Sequence, residues 1–313
     1  MDAAAFLADL EAKPAGLLAL LDELPRWPDV GKGPLVLAGM GSSFFAADVA
    51  ARRMRRSGIV AVAELASVEA SLPPSAGLTL IGVTASGKSV ETVALLEAHH
   101  GISRTIALTN DSTAAVPADD VVHMRAGIER GGVACRSYLH TLVALLALEQ
   151  QISGVDLRLV ERVKRSAAAI AYLLDRRHGW LPPVLEAIEG TEGLWLLAPA
   201  ERIGSALQGA LMVREGPRRV ADGCETGDWN HVDVYLTKTV DYRAVLFTGS
   251  RFDGVALNWM RERQSHVVTV GAGPSDVAVT VPYAGDNDPV VALLTEVLVA
   301  ELIAAHWWQA SES

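Results

Sequence analysis

Two short apolar strands, each running into a hydroxyl-rich turn and then a helix, constrain this chain more than anything else in it. Leu35-Val-Leu-Ala38 leads into Gly39-Met-Gly-Ser-Ser43 and on into the helical run Phe44 to Met54. A strand over 78–83 leads into Thr84-Ala-Ser-Gly-Lys-Ser89 and a helix that starts Val90-Glu-Thr-Val. The two turns lie about 40 residues apart, the spacing of consecutive βα units. In a parallel sheet both turns leave the carboxyl edge, where they can converge on one ligand. Unpaired N–H groups and the helix dipole make each helix start a place for an anion such as a phosphate.

The alternation continues along the chain. Strand 60–63 is followed by a helix near 67–71, strand 78–83 by helix 88–99, then strands 104–108 and 120–124 and the long apolar helix Arg136 to Ile152. Such a series means a parallel sheet with helices on both faces. After Gly154 a helix from Leu157 to Leu174 links to a second set that begins near residue 182. There strand 194–197 leads into helix Ile203 to Val213, strands 244–247 and 267–270 flank helix Asp253 to Arg263, and a weaker strand 277–281 precedes the closing helix Val290 to Trp308. The expected fold is α/β, with two tandem doubly wound, flavodoxin-like domains. The expected boundaries are a helical arm over 1–33, a first domain over 34–153, a linking helix over 154–181 and a second domain over 182–313. Gly41-Ser42 and Gly204-Ser205, each after an apolar strand, hint at duplication. Residues 2–24 read as one amphipathic helix, with Phe6, Leu7, Leu10, Leu17, Leu18 and Leu21 on one stripe and Pro25 at its end.

Gly82-Val-Thr-Ala-Ser-Gly-Lys-Ser89 also matches the P-loop pattern, which would make this a nucleotide-binding protein. A P-loop enzyme needs a strand ending in an acidic residue to hold Mg²⁺. The strands over 194–197, 244–247 and 267–270 run into Ala198, Thr248 and Gly271 instead, so the nucleotide stands as the lesser alternative.

Composition narrows the function. The 313 residues suffice for two domains, and at 50% hydrophobic the chain can fill large cores. A net charge of −10 argues against a nucleic-acid surface, so an anionic substrate must be captured by local dipoles and hydroxyls. The basic run Arg52-Arg-Met-Arg-Arg56 reads as a solvated helix end. Two cysteines and eight histidines show no disulfide framework and no metal-ligand spacing, so no metal or cofactor is expected. The N-terminal residues lack a cationic leader, and no run approaches ~18 uninterrupted apolar residues. The expectation is a soluble cytoplasmic protein with a small-molecule partner and neither nucleic acid nor membrane.

Taken together, Gly39-Met-Gly-Ser-Ser43, Thr84-Ala-Ser-Gly-Lys-Ser89 and Gly127-Ile-Glu-Arg-Gly-Gly-Val-Ala-Cys135 resemble the sugar isomerase (SIS) domain family. The resemblance runs over roughly 34 to 305, as two tandem SIS domains, and within the family it is to the isomerase half of glutamine–fructose-6-phosphate amidotransferases. It implies that Ser42, Ser43, Thr84, Ser86 and Ser89 hold the phosphate of a hexose 6-phosphate, with Gly41, Ala85, Val133 and Cys135 lining the sugar. The residues support this independently, since paired hydroxyls at two helix starts exceed the one per helix that N-capping explains. Gln208-Gly-Ala-Leu-Met-Val-Arg-Glu215 resembles the catalytic helix, and Glu225-Thr-Gly-Asp-Trp-Asn-His231 the loop that ends in the ring-opening histidine. The resemblance casts Glu215 as the acid/base between C1 and C2, His231 as the ring opener and Glu225 as a further catalytic candidate. A glutamate at a helix C-terminus, followed by Gly216-Pro217, opposes the dipole there, which also points to a functional role.

Departures from the family matter as much. Ala85 stands where the synthase has glutamine, Cys135 where it has serine, and Met212 where it has an active-site lysine. The synthase's C-terminal lysine tail and its glutaminase half have no counterpart in the sequence, so neither Schiff-base chemistry through those lysines nor ammonia release from glutamine is expected. The expected activity is aldose–ketose isomerisation of a hexose or aminohexose 6-phosphate. The alternatives are an aminosugar-phosphate deaminase and a non-catalytic phosphosugar sensor, although a sensor has no need of a Glu215/His231 pair. The resemblance further implies a homodimer with a site shared between subunits. Helix 2–24 could bury its stripe across that interface or against helix 157–174.

Overall fold

The computed structural model describes residues 1–69, 72–273, 277 and 279–312. The chain divides into two compact units, the first made of residues 16–129 and 134–160, the second of 1–15, 130–133 and 161–313.

The expected single N-terminal helix is two helices, α1 (Ala3–Glu11) and α2 (Lys13–Leu20), followed by a 3₁₀ turn, Leu21–Glu23. Pro14 explains the break, because it has no N–H to donate and its ring clashes with the preceding turn, so it fits only near the start of a new helix. Phe6, Leu10 and Leu17 of the apolar stripe are buried within the chain, and Phe6 meets Trp308 with ring centroids 5.7 Å apart. Leu7 and Leu21 are partly exposed and Leu18 is exposed, so half of the stripe is covered within the chain, and α1 packs on the C-terminal helix.

In the first unit, strands β1 (Leu35–Gly39) and β2 (Ala61–Leu65) lie on either side of helix α3 (Ser42–Arg56) in sequence. They are followed by β3 (Thr79–Val83), α4 (Val90–His99), β4 (Arg104–Thr109), β5 (Asp120–His123) and α5 (Arg136–Ser153). The strands form one parallel sheet in the order β2-β1-β3-β4-β5, the doubly wound order with a switch point between β1 and β3. Every residue of β1 and β3 is buried, as strands covered on both faces must be. The helix read near 67–71 is absent over 67–69, where the chain turns, and residues 70–71 lie outside the described residues.

The second unit holds α6 (Leu159–Asp175) from Glu161 onward, α7 (Arg177–Ile188), β6 (Leu194–Ala198), α8 (Ile203–Glu215), β7 (Ala221–Glu225) and α9 (Thr226–Trp229). Then come β8 (Arg243–Phe247), α10 (Asp253–Glu262), β9 (His266–Val270), β10 (Val279–Val281), α11 (Pro289–Thr295) and α12 (Val297–Glu312). Its sheet order, β10-β9-β8-β6-β7, is the order of the first sheet when counted from β6, and every pair is again parallel. Two elements escape sequence reading. Strand β7 is Ala-Asp-Gly-Cys-Glu, poor in strand formers, and exists because it pairs along β6 while Gly223 lets α8 approach. Helix α7 runs through Pro182-Pro183, which removes two helix donors and reads as a boundary. Of the weak strand 277–281, Val279–Val281 is a strand and residue 278 lies outside the described residues.

The stretch Pro289–Glu312 is long and apolar enough to cross a membrane by length and composition, although Glu296 and Glu301 interrupt its apolar run. However, 94% of its most apolar window is buried inside the protein, as in a core helix. Glu301 on this helix forms a buried ion pair with Lys13.

Candidate functional site

In the first unit, β1 and β3 are hydrogen-bonded neighbours with Gly39 opposite Val83. Their turns therefore leave the same edge side by side. Gly41, with φ +51°, is the N-cap of α3, a backbone conformation that L side chains rarely adopt. Ser42 and Ser43 form the first turn of α3 and are partly exposed. The second turn is tightly built. Thr84 is buried and its carbonyl accepts the Gly87 N–H at 3.1 Å, while the Ala85 carbonyl accepts Asn110 N–H at 3.0 Å. Ser86 is exposed and its hydroxyl accepts the Lys88 N–H. Ser89 is the N-cap of α4, yet its hydroxyl donates to Glu91 at 3.0 Å instead of capping.

The starts of α3 and α4 share one property: neither has a side-chain cap. Carboxylates fill that role on α1 (Asp2), α9 (Glu225) and α11 (Asp288). The N-cap side chains of α7, α8 and α10 also make no capping bond, so the partly exposed paired hydroxyls set α3 and α4 apart, not the missing cap alone. On α5, Glu129 accepts the N–H groups of Cys135, Arg136 and Ser137 at 2.6, 2.6 and 3.1 Å and the Ser137 hydroxyl at 2.6 Å. Cys135 is buried under this cap. Uncapped starts beside short hydroxyls suit an incoming anion. The geometry does not suit a P-loop, whose wrapping loop would begin at Gly82. Here Gly82 lies inside β3, paired with Ala38 and Ala107, and a Cβ on it would meet Leu96 of α4 at 2.7 Å.

The remaining candidates fall in the second unit. Val133 is buried in its segment 130–133. Glu215 is the last residue of α8 and is part-buried; burial pushes its carboxyl above the ordinary glutamate range, and the neighbouring Arg214 pulls partly back. Glu225 ends β7 and its carboxylate accepts the Asp228 N–H at 2.8 Å, so it holds the short helix α9. Buried Trp229 fixes the same loop through a 2.7 Å hydrogen bond from its Nε1 to the Tyr242 hydroxyl. His231 follows on the surface, its N–H bonded to the Asp228 carbonyl at 2.8 Å. Glu225 and His231 thus share one loop, and no hydrogen bond or ion pair joins either to Glu215 among the described residues.

Sequence reading missed a buried cluster at the carboxyl edge of the second sheet. Arg202 Nε and the Ser205 hydroxyl donate to Glu296 Oε1 at 2.9 and 2.7 Å, and the Arg202 guanidinium also reaches the Thr248 carbonyl. Burial works against the charge of Arg202, but Glu296 holds it firmly protonated; burial likewise pushes Glu296 upward, against Arg202 and Ser205. Asp253 accepts the Gly249 and Ser250 N–H groups at 2.6 and 3.1 Å. Arg202 and Glu296 are 94 positions apart, so no local pattern could have announced them. Among the described residues no group of three or more His, Cys, Asp or Glu could hold a metal ion.

No family model matches the chain. It is 25% identical over 265 residues to the isomerizing glutamine–fructose-6-phosphate aminotransferase of Synechocystis, an alignment covering 75% of this chain and 42% of that protein. A second such aminotransferase, from Pyrococcus horikoshii, is 23% identical over 87% of this chain and 48% of its own. The chain thus spans about half the length of the curated relatives it matches. Among solved structures, the C-terminal domain of the glucosamine–fructose-6-phosphate aminotransferase of Francisella tularensis superposes with a TM-score of 0.83 at 16% identity, over 97% of this chain and 96% of that one. The tagatose-6-phosphate ketose/aldose isomerase of Escherichia coli gives 0.79 at 18% identity over 100% and 95%, and the glucosamine-6-phosphate deaminase of Thermotoga maritima 0.78 at 18% over 98% and 95%. These likenesses establish a shared α/β fold, and the aligned relatives support the resemblance to the sugar isomerase domain family.

Proposed function

We propose that the chain is a phosphosugar isomerase of tandem SIS type, acting on a hexose or aminohexose 6-phosphate. The observation that carries this reading is the pair of uncapped, hydroxyl-lined helix starts at the switch point of the first sheet. Ser42, Ser43, Thr84, Ser86 and Ser89 hold the phosphate, with Gly41 and Ala85 supplying backbone. Val133 and Cys135 bound the sugar. Phosphate binding at fixed helix ends orients the sugar for a proton shuttle, which is where such binding energy accelerates a reaction.

Glu215 is the shuttle. Its carboxylate takes the proton from C2 of the open-chain aldose, the C–H electrons form the C1=C2 bond of the enediol, and the C1 carbonyl oxygen takes a proton from water. Return of the Glu215 proton to C1, with loss of the C2 hydroxyl proton to water as the enediol collapses to the C2 carbonyl, leaves the ketose. A raised pKa suits a carboxyl that must both take and return a proton near neutrality. His231 assists ring opening at the ring oxygen, and Glu225 keeps its loop in shape. The aminotransferase, deaminase and isomerase that the chain is similar to are all named for hexose phosphates, which supports the substrate class. The enzyme acts in the cytoplasm as a homodimer with shared sites.

Incubation with glucose, fructose, glucosamine and tagatose 6-phosphates in deuterated water tests the reaction. Deuterium should enter C2 or C1 of at least one sugar, and Glu215→Gln should abolish it while phosphosugar binding stays within a few-fold. Ammonia release from glucosamine 6-phosphate would move the reading to a deaminase, and binding without exchange would make the chain a sensor. For the shared site, mixing Glu215→Gln chains with His231→Ala chains should restore part of the exchange; no recovery after verified subunit exchange would place both groups in one chain.

A further inference from the structure

The segment 130–133 is attached to the backbone of α1 more closely than any side chain at its centre would allow. A Cβ on Gly131 would stand 2.6 Å from Phe6 Cα and 2.8 Å from Phe6 N. On Gly132, whose φ of +78° already favours glycine, it would stand 3.4 Å from Met1 Cα. Both polar groups of Gly131 are taken by α1. Its N–H donates to Asp9 Oδ2 at 2.8 Å, and its carbonyl accepts the Asp2 N–H at 3.2 Å. Asp9 is only 5% exposed, so this carboxylate is committed to the interior.

The helix that grips this segment is itself gripped from the other side. Lys13, the first residue of α2 and two positions past the end of α1, forms an ion pair with Glu301 in which neither side chain is exposed, tying the junction of α1 and α2 to α12. Phe6, fully buried, meets Trp308 of α12, and Trp308 fills the space beside Gly216, where a Cβ would come within 2.7 Å of its ring. Gly216 is the residue that follows Glu215 and ends α8. One run of packed groups therefore joins Gly131, Phe6, Trp308 and Gly216, all within the second unit. It connects the segment carrying Val133 to the helix end carrying Glu215.

We propose that α1 is the positioning element of this site, with Asp9 and Phe6 as positioning residues. Asp9 fixes the Gly131 amide and so the place of Val133 against the sugar, while Phe6 shares one support with the end of α8. The inference rests on the isomerase reading only for its kinetic arm. Buried carboxylate–amide contacts are among the stronger hydrogen bonds, and their loss leaves a group without a partner. They are therefore well suited to holding a glycine-rich segment that has little rigidity of its own.

The experiment measures two things on the full chain: hydrogen exchange of the Gly131 amide, and KM and kcat for sugar-phosphate deuterium incorporation. Asp9→Ala should expose the amide to exchange and raise KM by about tenfold, equivalent to the loss of one such bond, with kcat less affected. Asp9→Asn, which keeps an acceptor oxygen, should restore both to within about threefold. Gly131→Ala, which must push the segment off α1, should reproduce Asp9→Ala, and it decides the matter if Asp9→Ala does not fold. Affinity for inorganic phosphate should be unchanged throughout, because the hydroxyls assigned to it belong to the first unit. Wild-type amide protection and wild-type KM in a folded Asp9→Ala or Gly131→Ala chain would overturn the clamp. Absence of deuterium incorporation by the wild type would sink the isomerase reading instead, and the amide readout would still judge the clamp.

Discussion

The two sheets have the same strand order and the same switch point, but their carboxyl edges are finished in opposite ways. At the edge of the first, the starts of α3 and α4 carry Ser42, Ser43, Ser86 and Ser89 with no side chain capping the helix. At the edge of the second, the start of α8 carries Arg202 and Ser205, and both donate to Glu296 from the junction of α11 and α12. The echo of Gly41-Ser42 in Gly204-Ser205 is therefore misleading about ligands. Ser205 has no exposed surface and its hydroxyl already holds an anion, the chain's own carboxylate. One topology thus offers two anion positions, of which one is left open and the other is closed by an internal ion pair.

The largest effect that would break this contrast is on stability. Arg202→Met strands Glu296, 1% exposed, without its cation, and should cost about 3–5 kcal/mol in urea unfolding. Ser42→Ala at the open edge should move stability by no more than about 0.5 kcal/mol, since it removes no internal contact of that kind. A small loss in Arg202→Met would mean that the second edge is not sealed by this pair.

Ligand response should divide the same way and be of intermediate size. A hexose 6-phosphate at a hundred times its Kd should stabilise the wild type by about 2.7 kcal/mol, and ATP with Mg²⁺ should do little. Ser42→Ala and Thr84→Ala should weaken that thermal shift, whereas Ser205→Ala should keep it after allowance for its own lower melting point. A shift with ATP–Mg²⁺ alone would return the loop over 82–89 to the nucleotide reading. Loss of the shift in Ser205→Ala would mean that the second edge also takes ligand.

The smallest effect concerns Glu215. Burial lifts its pKa above the unfolded-state value, so the folded chain binds this proton more tightly than the unfolded one. Its contribution to stability is complete below the unfolded-state pKa, ~4.3, and is lost as the pH rises through the folded value. Glu215→Gln has no proton to lose there. Unfolding titrations should therefore show the two chains level in acid, and the wild type falling below the variant as the pH rises through that window. A difference that does not vary with pH would show that Glu215 titrates normally in the folded state.

Much of this was legible from local pattern. Helix α3 contains the whole run expected from its sequence, Phe44 to Met54, and extends it by two residues at each end, and the apolar runs at 35–38, 104–108 and 194–197 are strands because nothing but a doubly covered sheet can bury them. Edges were less legible. Strand β7 has no strand composition and borrows its shape from β6, and the N-terminal stripe hid the break at Pro14 because apolar spacing alone does not register a missing donor. At the candidate site, the hydroxyls at 42–43 and 84–89 were readable as a group, and Glu215 was marked by its place at a negative helix end. The cap that Glu129 places on α5, and the hold of Asp9 on Gly131 from 122 positions away, were not.

What the sequence by itself determined is the alternation of strand and helix, the two parallel sheets and the positions of the helix starts. These follow from periodicity, glycine and proline, which act over a few residues and need no distant partner. Only the tertiary structure decided which helix starts stay open. At two of the starts it depends on carboxylates brought from elsewhere: Glu129 to the N–H groups of α5 across a loop, and Glu296 to the Arg202 and Ser205 side chains at the start of α8, the latter from 91 positions away. A carboxylate meets a helix start only after the chain has closed, since in the unfolded chain both are satisfied by water and nothing local draws them together.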